Sequence, residues 1–427
     1  MEIKAPRGVR DILPEESWKW AYILKILRET SSDFGYSEVH LPIFEHTELF
    51  ARGVGDTTDI VEKEMYTFTD RGGRSITLRP EATASIVRMC IEHNLSGNGA
   101  PLKVWTAGPM FRYERPQKGR FRQFWQIDAE FLGVASPMAD ADIISLSIEC
   151  FRRLGLRNLE VVINSVGCPA CRPAYREKLI EYFESNVSGL CDLCLSRMKR
   201  NPLRLLDCKN ENCSRITDNA PASVDNLCGE CSSHFDSTIK LLETSGITYK
   251  YDKKLVRGLD YYTKTAYEIL SGELGSQNAV CGGGRYDNLS ETIGGPRLHG
   301  VGFAAGIERI ALVMEQQHCS FGEEPKPRVY VISLDANDET VQKTVYNLTM
   351  KLRENSISAE MDFAGRSFKA QLKSAGSSGV HFACIIGPEE VRAKNVSIKN
   401  LTSGEQISVN DDQIIEYFKV FFKEKSC

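Results

Sequence analysis

The sequence predicts an α+β protein: a strand-rich, antiparallel core, interrupted by a mainly helical, cysteine-rich insertion and followed by a separate α/β domain. Three observations predict this architecture. Residues 1–165 and 248–322 read as strands, hairpins and a few helices, residues 166–247 are polar and hold eight cysteines, and residues 326–427 alternate strand and helix. A chain of 427 residues is also too long for one ordinary hydrophobic core, so several domains are expected.

The first segment begins with a helix and continues as strands. In ESWKWAYILKILRETSSDFG the apolar residues recur every three or four positions, which predicts a helix that ends at Gly35. YSEVHLPIFEH is predicted to be a strand, in which Pro42 favours an edge or interface position. EMYTFTDRGGRSITLRPE predicts a hairpin around Gly72-Gly73, and two long strands joined by the basic loop RPQKG follow in KVWTAGPMFRYERPQKGRFRQFWQIDAEFLG.

The C-terminal part follows a proline-containing linker, GEEPKPR. RVYVISL, ISAEMDF and HFACIIG predict strands, and DETVQKTVYNLTMKLRENS and SFKAQLKSAGSSG predict the helices between them. This βαβαβ order is typical of a compact α/β domain. A last helix is predicted in DDQIIEYFKVFFKEK.

Composition and charge restrict the function classes. The formal net charge is −4, so any contact with nucleic acid must come from local basic patches rather than a global positive field. MEIKAPRGVRDILPEE lacks the apolar core of a signal peptide, and even the apolar stretch GFAAGIERIALVM is interrupted by Glu308 and Arg309. The sequence therefore predicts a cytoplasmic protein that does not associate with a membrane.

The strongest chemical signal lies in GPMFRYERPQKGRFRQFWQIDAE, whose basic side chains are Arg112, Arg115, Lys118, Arg120 and Arg122. Guanidinium groups suit phosphates because they donate paired, charge-assisted hydrogen bonds, and a ring such as that of Phe124 can stack on a nucleobase. Gln126, Asp128 and Glu130 alternate with apolar neighbours, so they lie on one strand face and are typical of a pocket floor. An exposed strand with surface salt bridges is the alternative.

Four further stretches carry residues that an ordinary strand or helix does not need. TLRPEATAS sets Glu81 and Thr83 after a rigid Arg-Pro turn, where they could hold an ammonium group or simply begin a helix with Thr83 exposed. CGGGRYDNL matches neither the Walker nor the dinucleotide-binding spacing, so its glycines favour close backbone approach. RGLDYYTKTAYEI puts Arg257 ahead of two tyrosines, and Arg309 stands near a helix start, where the helix dipole does not favour a cation.

Together these stretches resemble the histidyl-tRNA synthetases, which are class II aminoacyl-tRNA synthetases. GYSEVHLPIFE is similar to class motif 1, MFRYERPQKGRFRQFWQID to motif 2 and GVGFAAGIERI to motif 3. LVRGLDYYTKTAYE and CGGGRYDNL resemble the two signatures peculiar to the histidine enzymes. The resemblance covers nearly the whole chain and implies a class II antiparallel sheet flanked by helices. It divides the catalytic core into residues 1–165 and 248–322 around the insertion 166–247, with a class IIa anticodon-binding domain at 326–427.

The resemblance implies an ATP site and two catalytic arginines. Its ATP-binding residues are Arg112, Glu114, Phe124 and Arg309. Phe124 and Arg309 would stack on either side of the adenine, Glu114 would contact the base, and Arg112 would contact the α-phosphate and the substrate carboxylate. Arg257 and Arg112 are the implied catalytic residues, with Arg257 on the α-phosphate, where many class II relatives rely on a metal ion.

The resemblance also implies an amino-acid site. Its histidine-binding residues are Glu81, Thr83, Arg112, Gln126, Glu130, Arg257, Tyr261 and Tyr262. Glu81, Thr83 and Gln126 would hold the α-ammonium group. Glu130 and Tyr262 would hydrogen-bond the two imidazole nitrogens, and the other tyrosine would line the pocket. Ala82 stands where many relatives have glycine, with no expected consequence, and Trp125 and Asp128 receive no role because family members vary there.

The implied activity is a two-step, ATP-dependent ligation. The carboxylate of L-histidine attacks the α-phosphorus of MgATP, giving histidyl-adenylate and pyrophosphate, and the 3′ end of tRNA(His) then accepts the histidine. Phosphoryl transfer needs positioning and charge neutralisation more than a strong base, so arginines suit it. The implied partners are L-histidine, ATP with Mg²⁺, tRNA(His) and a second copy of the chain in a homodimer built around motif 1.

The cysteine-rich insertion leaves two interpretations open. Its cysteines form the sequence pairs Cys168/Cys171, Cys191/Cys194, Cys208/Cys213 and Cys228/Cys231. Without an export signal a disulfide framework is not expected, and the spacing suits two tetrahedral Zn²⁺ sites that would stabilise a small domain. Against this, related bacterial enzymes with similar insertions are not generally regarded as zinc-dependent. The basic stretch RMKRNPLR is interpreted either as a contact for the tRNA acceptor arm or as a solvated helix end.

Two other functions compete with the synthetase. A catalytically silent relative, such as the regulatory subunit of ATP phosphoribosyltransferase, resembles the catalytic domain, but Arg112, Arg257, Arg309 and a full C-terminal domain argue against it. A zinc-dependent RNA-binding module would explain the cysteines alone. It would leave the arginine-rich hairpin unexplained.

Overall fold

The computed structural model describes residues 3–55, 58–96, 100–117, 119–275 and 278–424. They divide into two compact units, Met1–Gly322 and Glu323–Cys427. Lys118 of the basic loop lies outside the described residues. Among the residues that are described, no helix is both long enough and apolar enough to cross a membrane. The finer division of the first unit, with an insertion at 166–247, stays a prediction.

The first unit combines a large sheet, a small sheet and helices. Its strands are β1 (Ser37–Glu38), β2 (Phe44–His46), β3 (Tyr66–Thr69), β4 (Ser75–Leu78), β5 (Leu102–Phe111), β6 (Gln123–Leu132), β7 (Leu159–Ser165), β8 (Lys250–Tyr251), β9 (Thr263–Ser271), β10 (Ala279–Arg285) and β11 (Gly300–Gly306). Its helices are α1 (Pro14–Asp33), α2 (Thr47–Val54), α3 (Thr83–Glu92), α4 (Pro137–Arg153), α5 (Arg172–Glu184), α6 (Asp192–Met198), α7 (Glu211–Thr217), α8 (Gly229–Thr244), α9 (Leu289–Thr292) and α10 (Ile307–Gln316).

The large sheet has eight strands in the order β1-β5-β6-β11-β10-β9-β7-β8. Only the outermost pairs, β1 with β5 and β7 with β8, are parallel. The predicted pair of long strands is confirmed, because β5 and β6 pair without interruption from Leu102↔Leu132 to Phe111↔Gln123. The predicted hairpin is also confirmed: β3 and β4 pair antiparallel, and Gly73 adopts a positive φ of 78° between them.

One face of this sheet carries the main hydrophobic core. α1 packs there through Trp20, Ile23 and Leu27, whose three- and four-residue spacing confirms the predicted helix. Helices α4 and α10 bury their own apolar residues in the same core, against strand residues such as Ile127 and Tyr267. The opposite face of β6 is therefore available for polar side chains.

One sequence prediction about a strand is wrong. YSEVHLPIFEH forms two short strands instead of one, β1 at the edge of the large sheet and β2 in the small sheet, and Pro42 lies between them. Proline cannot donate a ladder hydrogen bond, so the chain changes sheets there. The glycine-rich stretch before the motif 3 helix is itself a strand, β11, although glycine and alanine are weak strand formers. It is held between β6 and β10.

The second unit is an α/β domain with a mixed sheet. Its elements are β12 (Val329–Ser333), α11 (Glu339–Glu354), β13 (Ala359–Met361), α12 (Phe368–Ser377), β14 (Phe382–Ile386), α13 (Pro388–Ala393), β15 (Asn395–Asn400), β16 (Gln406–Asn410) and α14 (Ile414–Glu424). The predicted βαβαβ order is confirmed by the parallel pairing of β12 with β13 and β14. The prediction missed α13 and the antiparallel hairpin of β15 and β16 that extends the sheet.

A buried ion pair joins α4 to β10. Arg285 donates from Nε to both Asp140 oxygens at 3.2 and 3.0 Å, and from Nη1 to Asp287 at 3.1 Å. Arg285 also donates from Nη2 to Asp140, and backbone carbonyls of Val134 and Ser136 accept hydrogen bonds from it at 2.8 and 3.1 Å. Burial, the largest influence, would raise the pKa of Asp140, but the charges and hydrogen bonds of Arg285 and His234 together outweigh it and lower this pKa to about 2. Arg285 thus has a structural partner for each arm of its guanidinium group.

We expect Arg285→Met to lower the free energy of unfolding of the first unit by about 3–5 kcal/mol, because Asp140 would then be a buried charge without its main partner. Denaturant unfolding followed by tryptophan fluorescence measures this, since all four tryptophans lie before residue 322.

Arg152→Met is the matched control, on the helix α4 that carries Asp140. Arg152 contacts Glu149 at 2.6 Å, but its side chain is 71% exposed, so a loss below about 1 kcal/mol is expected. Equal losses in the two variants would contradict the structural role of Arg285.

Candidate active site

One cavity on the polar side of the large sheet collects the charged residues of three separate motifs. It is lined by Arg112, Glu114, Phe124 and Gln126 of the β5–β6 hairpin, Arg257 before β9, and Arg309 on α10. All four predicted ATP-binding residues and the two predicted catalytic arginines therefore meet in one place. Arg115 is exposed and does not line this cavity.

The hairpin holds its arginine by contacts to neighbouring strands. Arg112 donates from Nε to the carbonyl of Pro80 at 2.9 Å, and its guanidinium lies 5.3 Å from the centre of the Phe124 ring. Glu114 accepts a hydrogen bond from Arg120 at 2.8 Å and lies 3.9 Å from Arg112. The hairpin therefore presents an arginine and a ring side by side, with a carboxylate that balances part of the positive charge.

Arg257 crosses the sheet surface above β10. Its guanidinium forms an ion pair with Glu268 of β9 and lies against Gly282, where a Cβ atom would collide with it. Burial, the largest influence, would lower the pKa of Arg257, but Glu268, Tyr262 and Tyr261 together outweigh it and raise this pKa above the ordinary value, so the group stays charged. Its Nε is buried and has no hydrogen-bond partner among the described residues. Such a donor is suited to an anionic ligand.

A buried acidic pocket adjoins the cavity. Glu81 accepts hydrogen bonds from the backbone of Thr83 at 2.8 Å and Ala84 at 2.9 Å, at the start of α3. Thr83 donates through its hydroxyl to Glu130 at 2.7 Å. The alternative interpretation of a helix start is therefore confirmed, because Glu81 accepts the first backbone N–H groups of α3, but Thr83 is buried and not exposed. Burial, the largest influence, raises the pKa of Glu130 well above its ordinary value, and Asp128 and Glu81 add to this.

Three tyrosines close the pocket. The ring centres of Tyr261 and Tyr262 are 4.8 Å apart, and Tyr261 lies 5.7 Å from Tyr286. The Arg257 guanidinium, which lines the cavity, lies 5.7 Å from the Tyr262 ring. Tyr286 donates its hydroxyl hydrogen bond to Glu130. The pocket thus combines carboxylates with aromatic rings and suits a cationic or hydrogen-bonding side chain.

Several site residues were missed from the sequence, although most stand in stretches that were singled out. Glu268 and Tyr286 lie within TKTAYE and GGGRYD but received no role. Glu308 lines the cavity and accepts the backbone hydrogen bond of Trp125 at 3.0 Å. Gly302 of β11 faces Glu130 so closely that a Cβ atom would collide with its carboxylate. The pairing of β11 with β6 indicates this close approach, but the sequence alone does not reveal which strands pair.

The eight insertion cysteines form two clusters, each with all sulfur atoms within 4.8 Å of one another. The outer cluster consists of Cys168, Cys171, Cys228 and Cys231, and the inner cluster consists of Cys191, Cys194, Cys208 and Cys213. In each cluster a backbone N–H of one cysteine donates to the sulfur of another, at 3.1 Å from Cys228 to Cys171 and at 3.2 Å from Cys191 to Cys213. Both clusters could hold a metal ion.

The basic stretch RMKRNPLR contacts acidic residues of the catalytic core. Arg197 and Arg204 donate to Asp59 at 2.8 and 3.4 Å, and Arg200 donates to Glu62 at 3.0 Å. These arginines therefore connect the insertion to residues 59–62, which the interpretation as a solvated helix end does not explain.

Comparison with known proteins agrees with this geometry. The family model described as "Histidyl-tRNA synthetase" matches residues 8–310, and the one described as "Anticodon binding domain" matches residues 328–420. The chain belongs to the histidyl-tRNA synthetase family. The histidine–tRNA ligases of Desulforamulus reducens and Halothermothrix orenii are 48% and 49% identical to it over 414 and 416 residues, which is 97% of this chain and 98% and 99% of theirs.

A solved structure supports the same family. The crystal structure of apo S. aureus histidyl-tRNA synthetase matches with a TM-score of 0.83 at 38% identity, and the alignment covers 98% of this chain and 100% of that one. The predicted fold class and family are thereby confirmed. In this member of the histidyl-tRNA synthetase family, the matched region includes the cavity, the acidic pocket and both cysteine clusters.

We expect the stability of the first unit to fall as the pH rises from about 4.5 to 7, in part because of Glu308. Burial raises the pKa of Glu308 to about 7, against the weaker effect of its backbone hydrogen bonds, so the folded state holds a proton that the unfolded state releases earlier. Glu308→Gln removes this titration. Its stability relative to the wild type should therefore increase by roughly 2–3 kcal/mol between pH 4.5 and 8.

Glu291→Gln is the control, because Glu291 is exposed on α9. Its effect on unfolding, followed by tryptophan fluorescence at several pH values, should not depend on pH. A Glu308→Gln effect that is equally constant would contradict the raised pKa.

Proposed function

We propose that this chain is a histidine–tRNA ligase. It activates L-histidine with ATP to histidyl-adenylate and pyrophosphate, and then transfers histidine to the 3′ end of tRNA(His). The observation that carries the proposal is the meeting of Arg112, Arg257 and Arg309 in one cavity that adjoins a buried acidic pocket. A nucleotide needs the arginines and an amino acid needs the acidic pocket, so both substrates of the first step can bind side by side.

The arginine-lined end of the cavity binds ATP. The adenine lies between Phe124 and Arg309 and meets Glu114 at its edge, which uses stacking and cation–π attraction. Arg112 and Arg257 contact the α-phosphate, where negative charge develops on the oxygens during attack. Mg²⁺ would enter with ATP and would help to neutralise the negative charge of its phosphates.

The acidic end binds L-histidine. Glu81, Thr83 and Gln126 hold the α-ammonium group, and the buried Gln126 Oε1 is available for this because it has no partner among the described residues. Glu130 and Tyr262 hydrogen-bond the imidazole nitrogens, while Tyr261 lines the pocket. Apolar side chains of similar size are rejected because they would leave these buried polar groups unpaired.

The reaction then requires little proton transfer from the protein. The histidine carboxylate attacks the α-phosphorus and pyrophosphate leaves, while the two arginines neutralise the charge on the α-phosphoryl oxygens. The 3′-terminal hydroxyl of the tRNA next attacks the acyl carbon, and AMP leaves. The second unit, which the anticodon-binding family model matches, recognises the anticodon of that tRNA.

We also propose that both cysteine clusters bind structural Zn²⁺. Four sulfur atoms within 4.8 Å of one another suit a tetrahedral Cys₄ site, and the backbone N–H groups that donate to sulfur stabilise thiolates. The small insertion core, formed around Tyr175, Leu179 and Phe183, would gain stability from such ions.

ATP–pyrophosphate exchange tests the ligase proposal without tRNA. We expect exchange with L-histidine and none with the other amino acids supplied one at a time. Arg257→Ala should lower the exchange rate at least a hundredfold, because the α-phosphoryl charge then lacks one of its two guanidinium groups.

Tyr113→Phe serves as a control in the same hairpin, since its exposed ring does not line the cavity and it should keep near-wild-type exchange. Exchange that does not depend on histidine would refute the ligase proposal. A nearly unchanged rate in Arg257→Ala would refute only the role of that arginine.

A homodimer through motif 1 is proposed from its exposed apolar residues. Ile43 and Phe44 are 45% and 58% exposed on and beside β2. A second copy of the chain would cover them.

We expect Phe44→Asp to convert a dimer into a monomer in sedimentation velocity experiments, because the interface would have to bury an unpaired charge. Phe363→Asp is the control, since Phe363 is 73% exposed but lies in the second unit. A monomeric wild type, or a dimeric Phe44→Asp, would contradict the proposed interface.

A further inference from the structure

The outer cysteine cluster lies beside the start of β9, the strand that follows Tyr262. It joins the first residues of the insertion to the start of the insertion's last helix, since Cys168 follows β7 by three residues and Cys228 precedes α8. The backbone pairing with β9 continues past the end of β7 as far as the cluster. Val166 donates to the Lys264 carbonyl at 2.8 Å, and Lys264 donates to the Gly167 carbonyl at 2.9 Å.

The first cysteine pair reaches Tyr262 through its neighbours in sequence. Arg172, which follows Cys171, donates a hydrogen bond to the Tyr262 carbonyl. Val166 is buried against the Tyr262 ring. The backbone and the ring of this tyrosine are therefore both fixed by residues next to the first cysteine pair.

The second cysteine pair reaches the same strand from the other side. Glu230, between Cys228 and Cys231, accepts a hydrogen bond from the buried Lys264 ammonium at 2.9 Å. Lys264 adopts a positive φ of 50°, an uncommon conformation for a residue with a long side chain, so contacts from outside must hold it. Contacts from the neighbours of both cysteine pairs therefore hold residues 262–264 in place.

We infer that metal binding by the outer cluster positions Tyr262 for the amino acid, so that the insertion contributes to histidine binding without touching the substrate. This rests on the Zn²⁺ sites and on the histidine-binding role of Tyr262 proposed above. A four-thiolate ion ties Cys168 and Cys171 to Cys228 and Cys231, and so fixes the distance between the two groups of contacts to residues 262–264. Without the ion, the two cysteine pairs can separate and Tyr262 loses its fixed place beside Glu130 and Arg257.

The inner cluster provides the matched comparison. Its cysteines pack with the insertion's own core, around Leu190, Met198 and Leu205. Among the described residues, no hydrogen bond joins an inner-cluster cysteine to residues 262–264. Loss of the inner ion should therefore affect the insertion alone.

The test compares Cys231→Ser in the outer cluster with Cys213→Ser in the inner cluster. Elemental analysis of protein purified without chelator should find two zinc ions per wild-type chain and one in each variant. We expect Cys231→Ser to raise the KM for histidine in ATP–pyrophosphate exchange at least tenfold and the KM for ATP less than threefold. Cys213→Ser should change either KM less than twofold. Equilibrium dialysis with L-histidine alone should show the same loss of binding for Cys231→Ser.

Arg172→Met provides a second variant in case Cys231→Ser fails to fold. It should keep both zinc ions, as elemental analysis would show, and still raise the KM for histidine, because the hydrogen bond to the Tyr262 carbonyl is lost. Arg172→Lys, which keeps a donor, should restore part of the affinity.

Each of the three proposals would be overturned by a different experimental result. A wild type without zinc overturns the metal-dependent positioning, and histidine-independent exchange overturns the ligase proposal itself. An outer-cluster variant that loses its zinc but keeps the wild-type KM for histidine overturns the coupling while leaving both other proposals intact.

Discussion

The constraint on which the site depends is room for charged side chains on the polar face of a tightly paired sheet. Adjacent strands lie about 4.8 Å apart, so a charged side chain on one strand meets whatever its neighbour carries. There is room for the Glu130 carboxylate because the residue that pairs with Glu130 across β6 and β11 is Gly302. There is room for the Arg257 guanidinium because it lies over Gly282 of β10. A methyl group at either glycine would occupy the position of the charged group. The weak strand formers of β10 and β11 are thus required by the side chains that they accommodate.

Buried charge in the pocket is tolerated because opposite charges face one another across the sheet. Burial raises the pKa values of Asp128 and Glu81, and Arg112 opposes this effect at both carboxyls. Both Asp128 oxygens are buried without a hydrogen-bond partner among the described residues. In the proposed binding mode an amino acid brings an ammonium group to this acidic surface, and a nucleotide brings phosphates to the arginines. Each substrate would then supply the charge that its part of the site lacks, and binding would relieve an unfavourable arrangement instead of creating one.

The sequence predicted the helices and strands of this protein better than the tertiary contacts between them. Periodicity and turn residues were sufficient for α1, the β5–β6 hairpin and the βαβαβ order of the second unit, because each depends on local pattern. The arginines could be identified because a cation next to an aromatic residue is unusual in a plain strand. Arg285 could not be interpreted, since its partner Asp140 is 145 residues away in sequence. The glycines of β11 and the division of eight cysteines into an outer and an inner cluster depend on tertiary pairing, which spacing does not determine.

The long cysteine-rich segment between β7 and β8 must return the chain to the same edge of the large sheet. β7 and β8 are adjacent, parallel strands at the edge of the large sheet, yet the chain makes the long excursion through α5 to α8 between them. Ordering so many residues costs conformational entropy, and a small core contributes little to offset it. A cross-link across the excursion would reduce that cost because it shortens the segment that must be closed. Cys168 and Cys171 stand at the start of the excursion, and Cys228 and Cys231 stand at the start of its last helix, α8. The proposed metal site would therefore close most of the excursion beside β9, the strand that follows Tyr262.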